Sequence, residues 1–240
     1  MNTIEATGLK KSYSKKTVVW NLSLTLNTGE IVGLLGPNGA GKTTTFYMLT
    51  GIIKHDAGSI ALNKKDIGSL PMYVRARHGI SYLPQETSIF RKLTVAENIQ
   101  AVLEIKGMNR QQITDKVQQV LEEFSISHIA GNIAYTLSGG ERRRTEIARA
   151  IATDPVFILF DEPFTGIDPI AIIELKKMLT YLKNRGLGIL ITDHNVRDTL
   201  SITDRAYIIN HGEVLDEGTP EKLISNRNVK QAYLGEDFTL

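Results

Sequence analysis

Cysteine is absent from all 240 residues of the sequence. This excludes disulfide bonds, zinc sites built from cysteine thiolates and thiol nucleophiles, so any chemistry must come from other side chains. An excess of charge is missing too, because 28 Lys and Arg oppose 26 Asp and Glu and leave a net charge of +2. A balance this close to neutral argues against nucleic-acid binding, and local basic runs are expected to be solvated faces.

Long apolar runs are also missing. The longest candidates are short stretches such as Ile31–Leu35 and Val156–Phe160, far below the roughly 20 residues that cross a bilayer as a helix. The segment Met1–Gly8 carries Glu5 and lacks a basic start followed by an apolar stretch, so nothing marks it for secretion. We therefore expect the chain to be cytoplasmic.

The order of apolar and polar residues predicts one domain over residues 1–240, because no repeat or flexible linker divides the chain. Apolar and polar residues alternate within the first thirty positions and again over Ser59–Leu62, which is typical of an antiparallel sheet. Residues 94–131 are predicted to be helical, since Thr94 and Glu97 form a capping-box pattern and apolar residues recur at helical spacing.

The predicted fold is therefore α/β, with a parallel-sheet core, an antiparallel β subdomain and a helical subdomain over about residues 88–155. The buried strand Ile31–Leu35 precedes a glycine-rich loop and a helix predicted over Lys42–Thr50. Val156–Phe160 and Leu187–Ile191 are further predicted strands. Because open parallel sheets bind ligands beyond the carboxyl ends of their strands, the residues after these strands form the candidate site.

The loop after the first buried strand, Gly36 to Thr43, matches the pattern G-x-x-x-x-G-K-[ST] of a nucleotide phosphate-binding loop. Glycines permit positive φ angles, so successive main-chain N–H groups can face phosphate oxygens at the start of a helix. Lys42 is predicted to reach the β- and γ-phosphates of ATP, and the Thr43 hydroxyl to contact Mg²⁺. The predicted ATP contacts in this loop are Gly36, Pro37, Asn38, Gly39, Ala40, Gly41, Lys42, Thr43 and Thr44.

Two acidic residues, Asp161 and Glu162, follow the predicted strand Val156–Phe160 and should lie at the ligand-binding edge of the sheet. Asp161 is predicted to hold Mg²⁺ through its water shell, and Glu162 to orient and deprotonate the water that attacks the γ-phosphate. His194 follows the next predicted strand and should hydrogen-bond the γ-phosphate or position that water. Gln85 is a candidate Mg²⁺ and nucleotide contact, although alone it would be an ordinary loop amide.

A second group of glycines begins another predicted helix. Ser138 and Glu141 satisfy the capping-box pattern, and Gly139 and Gly140 lie between them. Consecutive glycines are poor helix formers, so an anion bound by their N–H groups explains them better than helix stability does. One chain cannot easily direct this helix and the phosphate loop at the same γ-phosphate. We therefore predict that Ser138, Gly139 and Gly140 contact ATP bound to a second copy of the chain.

These motifs occur in the order found in the ATP-binding subunits of ABC transporters, and the sequence resembles that family over nearly its whole length. The resemblance implies the ABC ATPase fold with a P-loop NTPase core, and hydrolysis of ATP coupled to transport. It implies that Asp168 contacts ATP from the partner chain and that Tyr13 stacks on adenine, although a tyrosine near a strand could equally be packing. The implied partners are a second copy of the chain, as a homodimer, and two integral membrane permease subunits.

Longer strings resemble the family members that serve bacterial lipopolysaccharide export. These strings are Gly36–Met48, Leu137–Arg144, Ile191–Val196 and Tyr233–Phe238. This likeness implies a peripheral position on the cytoplasmic face of the inner membrane, reached only through the partners. It implies that Met72, Phe90 and Arg91 line the groove that receives the membrane subunits, with ordinary packing an equal explanation for Met72. Thr165 and Phe160 stand where alanine and leucine are usual, and neither is expected to alter the chemistry.

Three other functions are weighed against this one. Importer ATPases, for example those for branched-chain amino acids, share the same core motifs, so the membrane partners must decide the cargo. Soluble ABC proteins of translation or DNA repair resemble tandem cassettes or carry long coiled-coil insertions, and this chain has one cassette and no insertion. A subunit that binds ATP without hydrolysing it would not need Glu162 and His194.

Overall fold

The computed structural model describes residues 1–14, 16–235 and 238. The chain divides into two compact units, each described by itself below. The first unit consists of Met1–Gln85, Val156–Gly166 and Ile172–Leu240, and the second of Glu86–Pro155 and Ile167–Ala171. Two residues of the Tyr233–Phe238 string, Glu236 and Asp237, lie outside the described residues.

A four-stranded sheet in the first unit confirms the predicted antiparallel subdomain. Its strands are β1 (Thr3–Tyr13), β2 (Lys16–Asn27), β4 (Ala57–Leu62) and β5 (Lys65–Asp66), in the order β2-β1-β4-β5. The central strand β1 pairs on both sides, because Ile4 lies opposite Leu26 on one neighbour and Leu62 on the other. Side chains that alternate along these strands are buried on one face, which is what the alternating pattern requires.

A six-stranded sheet forms the rest of the sheet structure in the first unit. Its strands are β3 (Ile31–Leu35), β6 (Ile80–Leu83), β7 (Phe157–Asp161), β8 (Gly188–Thr192), β9 (Arg205–Asn210) and β10 (Glu213–Gly218), in the order β10-β9-β3-β8-β7-β6. All neighbours are parallel except β9 and β10, which form an antiparallel hairpin at one edge. The strands β3, β7 and β8 are buried at every position, as continuous apolar runs predict.

Both sheets share one hydrophobic core with the helix that follows β3. This helix, α1 (Lys42–Thr50), buries Phe46, Met48 and Leu49 in the same cluster as Leu22 of β2 and Leu159 of β7. Gly51 ends the helix in the left-handed region, with its N–H donating to the carbonyl of Met48. The core therefore fixes the helix whose first residue is the lysine of the phosphate loop.

Shorter helices complete the first unit around its sheets. They are α2 (Met72–Arg77), α7 (Val196–Leu200), α8 (Pro220–Ser225) and α9 (Arg227–Val229), which a π-helical turn over Lys230–Leu234 follows. The longer helix α6 (Pro169–Asn184) starts in the second unit's segment and continues in the first. No helix in the described ranges is both long enough and apolar enough to cross a membrane.

The second unit is built mainly from three helices. They are α3 (Val95–Ile105), α4 (Arg110–Glu123) and α5 (Gly139–Ala152), with 3₁₀ turns at Ser127–Ile129 and Ala134–Thr136. Each helix begins with a complete capping box, whose N-cap residues are Thr94, Asn109 and Ser138. In each box the side chain of the N-cap residue and that of the third helical residue satisfy two main-chain donors.

The structure corrects three details of the sequence prediction. Residues 94–131 form two helices and a 3₁₀ turn, because Gly107 takes a positive φ of 78° and breaks the segment. The strands β7 and β8 each lie one residue later than predicted, so Asp161 is the last residue of its strand. The hairpin of β9 and β10 was not predicted at all.

Candidate functional site

The phosphate loop between β3 and α1 depends on glycines that no other residue could replace without strain. Gly36 and Gly41 have φ angles of 155° and 104°. A Cβ atom at Gly36 would lie 2.1 Å from the carbonyl oxygen of Ile209, and one at Gly41 would lie 2.9 Å from that of Val18. The loop is therefore pressed against neighbouring main chain from β9 and β2, which leaves no room for side chains.

Lys42 begins α1 and is almost completely buried. Its Nζ donates to the carbonyl oxygens of Gly36, at 2.7 Å, and Pro37, at 3.1 Å. Burial lowers the pKa of the ammonium, and the nearby carboxylates of Glu162 and Asp161 oppose that shift. The cation is thus held at the loop by main-chain oxygens, where phosphate oxygens would be stronger acceptors.

A cavity of about 190 Å³ opens between the phosphate loop and the ends of β7 and β8. The residues that line it are Val18, Asn38, Gly39, Gly41, Lys42, Thr43, Thr44, Glu162 and His194. Residues predicted separately from the loop, from the acidic strand end and from the next strand are therefore brought together. The loop glycines and Lys42 supply donors for an anion, and Glu162 supplies a base on the opposite side.

Glu162 lies one residue beyond β7 and takes a left-handed φ of 47°. Its N–H donates to the carbonyl of Thr192 at 2.7 Å, which fixes the turn. Its carboxylate lies 2.7 Å from Nε2 of His194 through Oε1 and accepts from the Thr165 hydroxyl at 3.3 Å through Oε2. Alanine, the usual residue at position 165, could not make this contact.

Asp161 is buried at the end of β7. Burial raises the pKa of its carboxyl group, while the hydroxyl of Tyr82 donates to its Oδ2 at 3.0 Å and opposes the rise. Thr43 lines the same cavity, and Gln85 lies exposed two residues after β6. Carboxylate, hydroxyl and amide oxygens are the hard donors that suit Mg²⁺, so the donor set in the first unit fits that ion.

Ser138 caps α5 in the second unit. Its hydroxyl donates to Oε2 of Glu141 at 2.7 Å, and its N–H donates to the same oxygen at 2.9 Å. These two hydrogen bonds lower the pKa of the Glu141 carboxyl. The predicted capping box is present, and it holds the first turn of the helix in a fixed geometry.

Gly139 and Gly140 follow Ser138 in helical conformation, and neither has a positive φ. A Cβ atom built at either position would meet no described atom within 4 Å. Neither backbone conformation nor packing within the described chain therefore requires glycine here, and glycine costs helix stability. Glycine at both positions leaves the start of α5 without side chains, which is the arrangement that would let an anion approach its N–H groups.

Asp168 and Tyr13 are the two residues for which the family resemblance implies contact with ATP. Asp168 is exposed in the second unit, and its Oδ1 accepts from the N–H of Ala171 in the first turn of α6. Tyr13 ends β1 in the first unit with 47% of its surface exposed, and Nζ of Lys11 lies 5.7 Å from its ring centroid. An exposed ring of this kind is free on one face to stack.

The residues predicted to receive membrane subunits are exposed in their own units. Met72 begins α2 in the first unit, and Phe90 and Arg91 lie before α3 in the second. The side chain of Asn98 fixes the main chain of Phe90, because it accepts from the Phe90 N–H at 2.9 Å and donates to the Phe90 carbonyl at 3.1 Å. The guanidinium of Arg149 stacks over its ring at 4.9 Å.

Glu146 and Arg149, which the sequence analysis missed, fasten this loop to α5. Glu146 is buried and accepts from the N–H of Ser88 at 2.8 Å. Arg149 donates to the carbonyl and to the hydroxyl of Ser88, both at 2.8 Å. In the sequence, Glu146 and Arg149 are charged residues three positions apart on the helix that Ser138 begins. Charged residues at such spacing normally indicate a solvated face, so their contacts were not predicted. The loop that carries Phe90 is thus hydrogen-bonded to the helix that carries the open glycines.

Replacing Asn98 by leucine should release this loop. The fully buried amide of Asn98 also donates to the carbonyls of Leu93 and Thr94. Leucine would remove these bonds and the acceptor of the Phe90 N–H, while the carbonyls keep their main-chain donors. We expect the free energy of unfolding to fall by about 2 kcal/mol, with faster hydrogen exchange at the amide of Phe90. Gln100→Leu, on the exposed side of the same helix, is the control. Equal stability of the two variants in denaturant unfolding would contradict this role for Asn98.

Comparison with known proteins places the sequence among ATP-binding subunits. Residues 19–165 match the family model described as ABC transporter. The chain is 57% identical to the lipopolysaccharide export system ATP-binding protein LptB of Haemophilus influenzae and 54% identical to LptB of Escherichia coli K12, over the full length of both chains in each case. Among solved structures, the ADP conformation of an ATP-binding cassette of an ABC transporter superposes with a TM-score of 0.88 and 26% identity, covering 98% of this chain and all of that one.

Proposed function

The chain belongs to the ABC transporter family and is an ATPase whose hydrolysis of ATP is coupled to transport, and we propose that it powers lipopolysaccharide export. The observation that carries the chemistry is the pairing of Glu162 with His194 at 2.7 Å in the cavity that Lys42 borders. The specific cargo is supported by the full-length identity to two LptB proteins. The proposal extends their function to this chain.

The roles of the residues follow from their positions in the cavity. The loop N–H groups and Lys42 bind the β- and γ-phosphates of ATP, and the exposed ring of Tyr13 stacks on adenine. Glu162 accepts a proton from the water that attacks the γ-phosphorus, and His194, beside the Glu162 carboxylate, hydrogen-bonds the γ-phosphate or positions that water. When bound, Mg²⁺ would neutralise phosphate charge, with Thr43, Gln85 and Asp161 as its protein contacts, the last through water.

The open start of α5 supports the proposal of a homodimer. Glycines that serve no purpose within one chain are explained if the phosphates of ATP on a second copy approach their N–H groups. We propose that Ser138, Gly139, Gly140 and Asp168 of each copy contact the ATP held by the other copy. One γ-phosphate then bridges two chains, and hydrolysis removes the bridge and lets the dimer open.

Membrane attachment is proposed to occur only through two permease subunits on the cytoplasmic face of the inner membrane. Met72, Phe90 and Arg91 are exposed and are the proposed contacts. Glu146 and Arg149, on α5, hydrogen-bond the loop that carries Phe90. When the dimer closes on ATP, displacement of α5 is therefore passed to Phe90 and to the membrane subunit that it contacts. We further propose that residues 1–240 act as one ATP-binding domain with a helical subdomain over about residues 88–155.

The test is reconstitution of the chain with its two membrane subunits in liposomes that contain lipopolysaccharide. We expect ATP, but not ADP, to drive release of lipopolysaccharide to an acceptor protein. If the chain instead co-purifies with permeases that work with a periplasmic amino-acid receptor, and lipopolysaccharide does not move, the importer function replaces the proposal. Salt-sensitive binding of nucleic acid that changes with ATP would instead indicate a soluble clamp.

A further inference from the structure

Arg75, on α2, is fully buried, with only 1% of its surface exposed. Four main-chain carbonyl oxygens accept its hydrogen bonds. Nε donates to Leu70 at 2.9 Å, one terminal nitrogen donates to Met48 and Leu49 at 2.7 Å each, and the other donates to Gly68 at 3.0 Å. The planar fork of arginine is what allows one side chain to reach carbonyls in four directions.

Two of these carbonyls belong to the last turn of α1. The final carbonyls of a helix have no partner within the helix. The guanidinium supplies a donor to Leu49 and adds a second donor to Met48, which also accepts from the N–H of Gly51. Gly51 ends the helix directly beside the fork, since a Cβ atom there would lie 2.9 Å from Nε of Arg75. A positive charge at this end also favours the helix dipole. Arg75 is therefore a C-terminal cap supplied by another element.

The opposite end of α1 is the phosphate loop. The helix spans nine residues from Lys42, which corresponds to about 14 Å at 1.5 Å per residue. Most of its side chains are buried, and its hydrogen-bonded backbone joins its two ends. The fork at its carboxyl end is therefore connected through one helix to Lys42, whose resting position the core maintains.

Charge at this position costs stability. Burial lowers the pKa of Arg75 to about 10, which still leaves the guanidinium protonated near neutral pH. Desolvation disfavours a buried cation, so an apolar side chain of similar volume would give a more stable fold if packing were the only requirement. The fork is thus best explained by the attachment that it makes between two elements.

The outer side of the same short helix is exposed and apolar. Met72 and Tyr73 have 41% and 65% of their surfaces exposed, and Arg77 lies 5.9 Å from the ring of Tyr73. We propose that Arg75 is a positioning residue through which a membrane subunit that contacts Met72 and Tyr73 shifts the phosphate loop, an inference that rests on the proposed function. Force on α2 passes through the fork to the carboxyl end of α1 and along that helix to Lys42.

The test compares Arg75→Lys with Arg77→Lys, the same substitution on the exposed side of α2. Lysine keeps the charge but cannot reach four carbonyls. In the isolated chain we expect kcat and KM for ATP to change by less than about threefold in Arg75→Lys. With the membrane subunits in liposomes, the turnover that these subunits stimulate should fall about tenfold, whereas Arg77→Lys should keep it.

Two outcomes overturn the inference without touching the proposed function. One is an Arg75→Lys variant that the membrane subunits stimulate as strongly as the unaltered chain. The other is an equal loss in the isolated chain and in the complex, which a purely structural role predicts. If the unaltered chain hydrolyses ATP at the same rate with and without the membrane subunits, the proposed function and this inference fail together.

Hydrogen exchange on the unaltered chain gives a second readout that does not depend on folding of the variant. Binding of the membrane subunits should slow exchange of the Gly51 and Ile53 amides, which donate to the carbonyls of Met48 and Tyr47, together with the amides of α2. Slower exchange in α2 with no change at the end of α1 would show that the fork transmits nothing.

Discussion

Replacing Glu162 by glutamine should reduce ATP turnover by about 10² to 10⁴, the usual contribution of a positioned general base. Glutamine preserves the size of the side chain and a hydrogen bond to His194, but it cannot accept a proton from water. The affinity for ATP should stay close to that of the unaltered chain, because the loop N–H groups and Lys42 are unchanged. Phosphate release at saturating ATP and equilibrium binding of ATP are the two measurements.

The same variant should accumulate as a dimer when ATP is present. Without hydrolysis the bridging γ-phosphate persists, so sedimentation should show a species of twice the mass with ATP and the monomer with ADP. Glu5→Gln, on the exposed side of β1, is the matched loss of one carboxylate and should change neither property. Normal turnover of Glu162→Gln, or a monomer at high ATP concentration, would refute the proposed mechanism.

Replacing Gly36 by alanine should destabilise the first unit severely. The new Cβ would lie 2.1 Å from the carbonyl oxygen of Ile209. The Cβ is fixed directly to the main chain and the oxygen belongs to it, so no side-chain rotation can relieve the clash. Overpacking and a strained φ together cost about 2–6 kcal/mol. For a chain of this length we expect the thermal midpoint to fall by roughly 10 °C, as calorimetry or circular dichroism would measure.

Gly29→Ala separates the two causes of that loss. Gly29 also has a positive φ, at 83°, but a Cβ atom there would meet nothing within 4 Å of the described chain. Only the backbone strain applies, so a loss of about 1 kcal/mol is expected. If Gly36→Ala is no less stable than Gly29→Ala, the close approach of β9 to the phosphate loop does not constrain the protein.

Elements with strong local signals were predicted to the residue. The strand Ile31–Leu35 and the helix Lys42–Thr50 match the structure at both ends, because a continuous apolar run, a glycine-rich loop and a terminal glycine each mark a boundary. The strand that ends at Asp161 was placed one residue early, since an acidic residue normally marks the end of an apolar run. Here the sheet keeps Asp161 in register opposite Thr192.

The hairpin of Arg205–Asn210 and Glu213–Gly218 escaped prediction for a different reason. Its second strand lies at the edge of the sheet and has mixed polar residues with half-buried positions between exposed ones. Its first strand carries a local signal that the prediction overlooked, the continuous apolar run Ala206–Ile209, and long-range contacts such as the hydrogen bond from Arg205 to Glu30 at 2.9 Å fix its place in the fold. Local sequence carries no information about a partner 175 residues away.

The candidate site could be predicted as residue types but not as contacts. The motifs identified Glu162 and His194 separately, and only the parallel packing of their strands brings the two side chains to 2.7 Å. Glu146 and Arg75 were overlooked because each acts through a neighbour that is remote in the chain, and Thr165 was named without its contact to Glu162. An acid within a helix and an arginine in a short helix carry no pattern that distinguishes them from surface residues.

The left-handed backbone conformation of Glu162 lowers the stability of the fold at the residue that hydrolysis requires. An acidic residue with a φ of 47° stores strain on the order of 1 kcal/mol, which glycine at the same position would relieve. The residue that hydrolysis requires therefore lies in a backbone conformation that stores strain, which the hydrogen bond from its N–H to Thr192 holds in place.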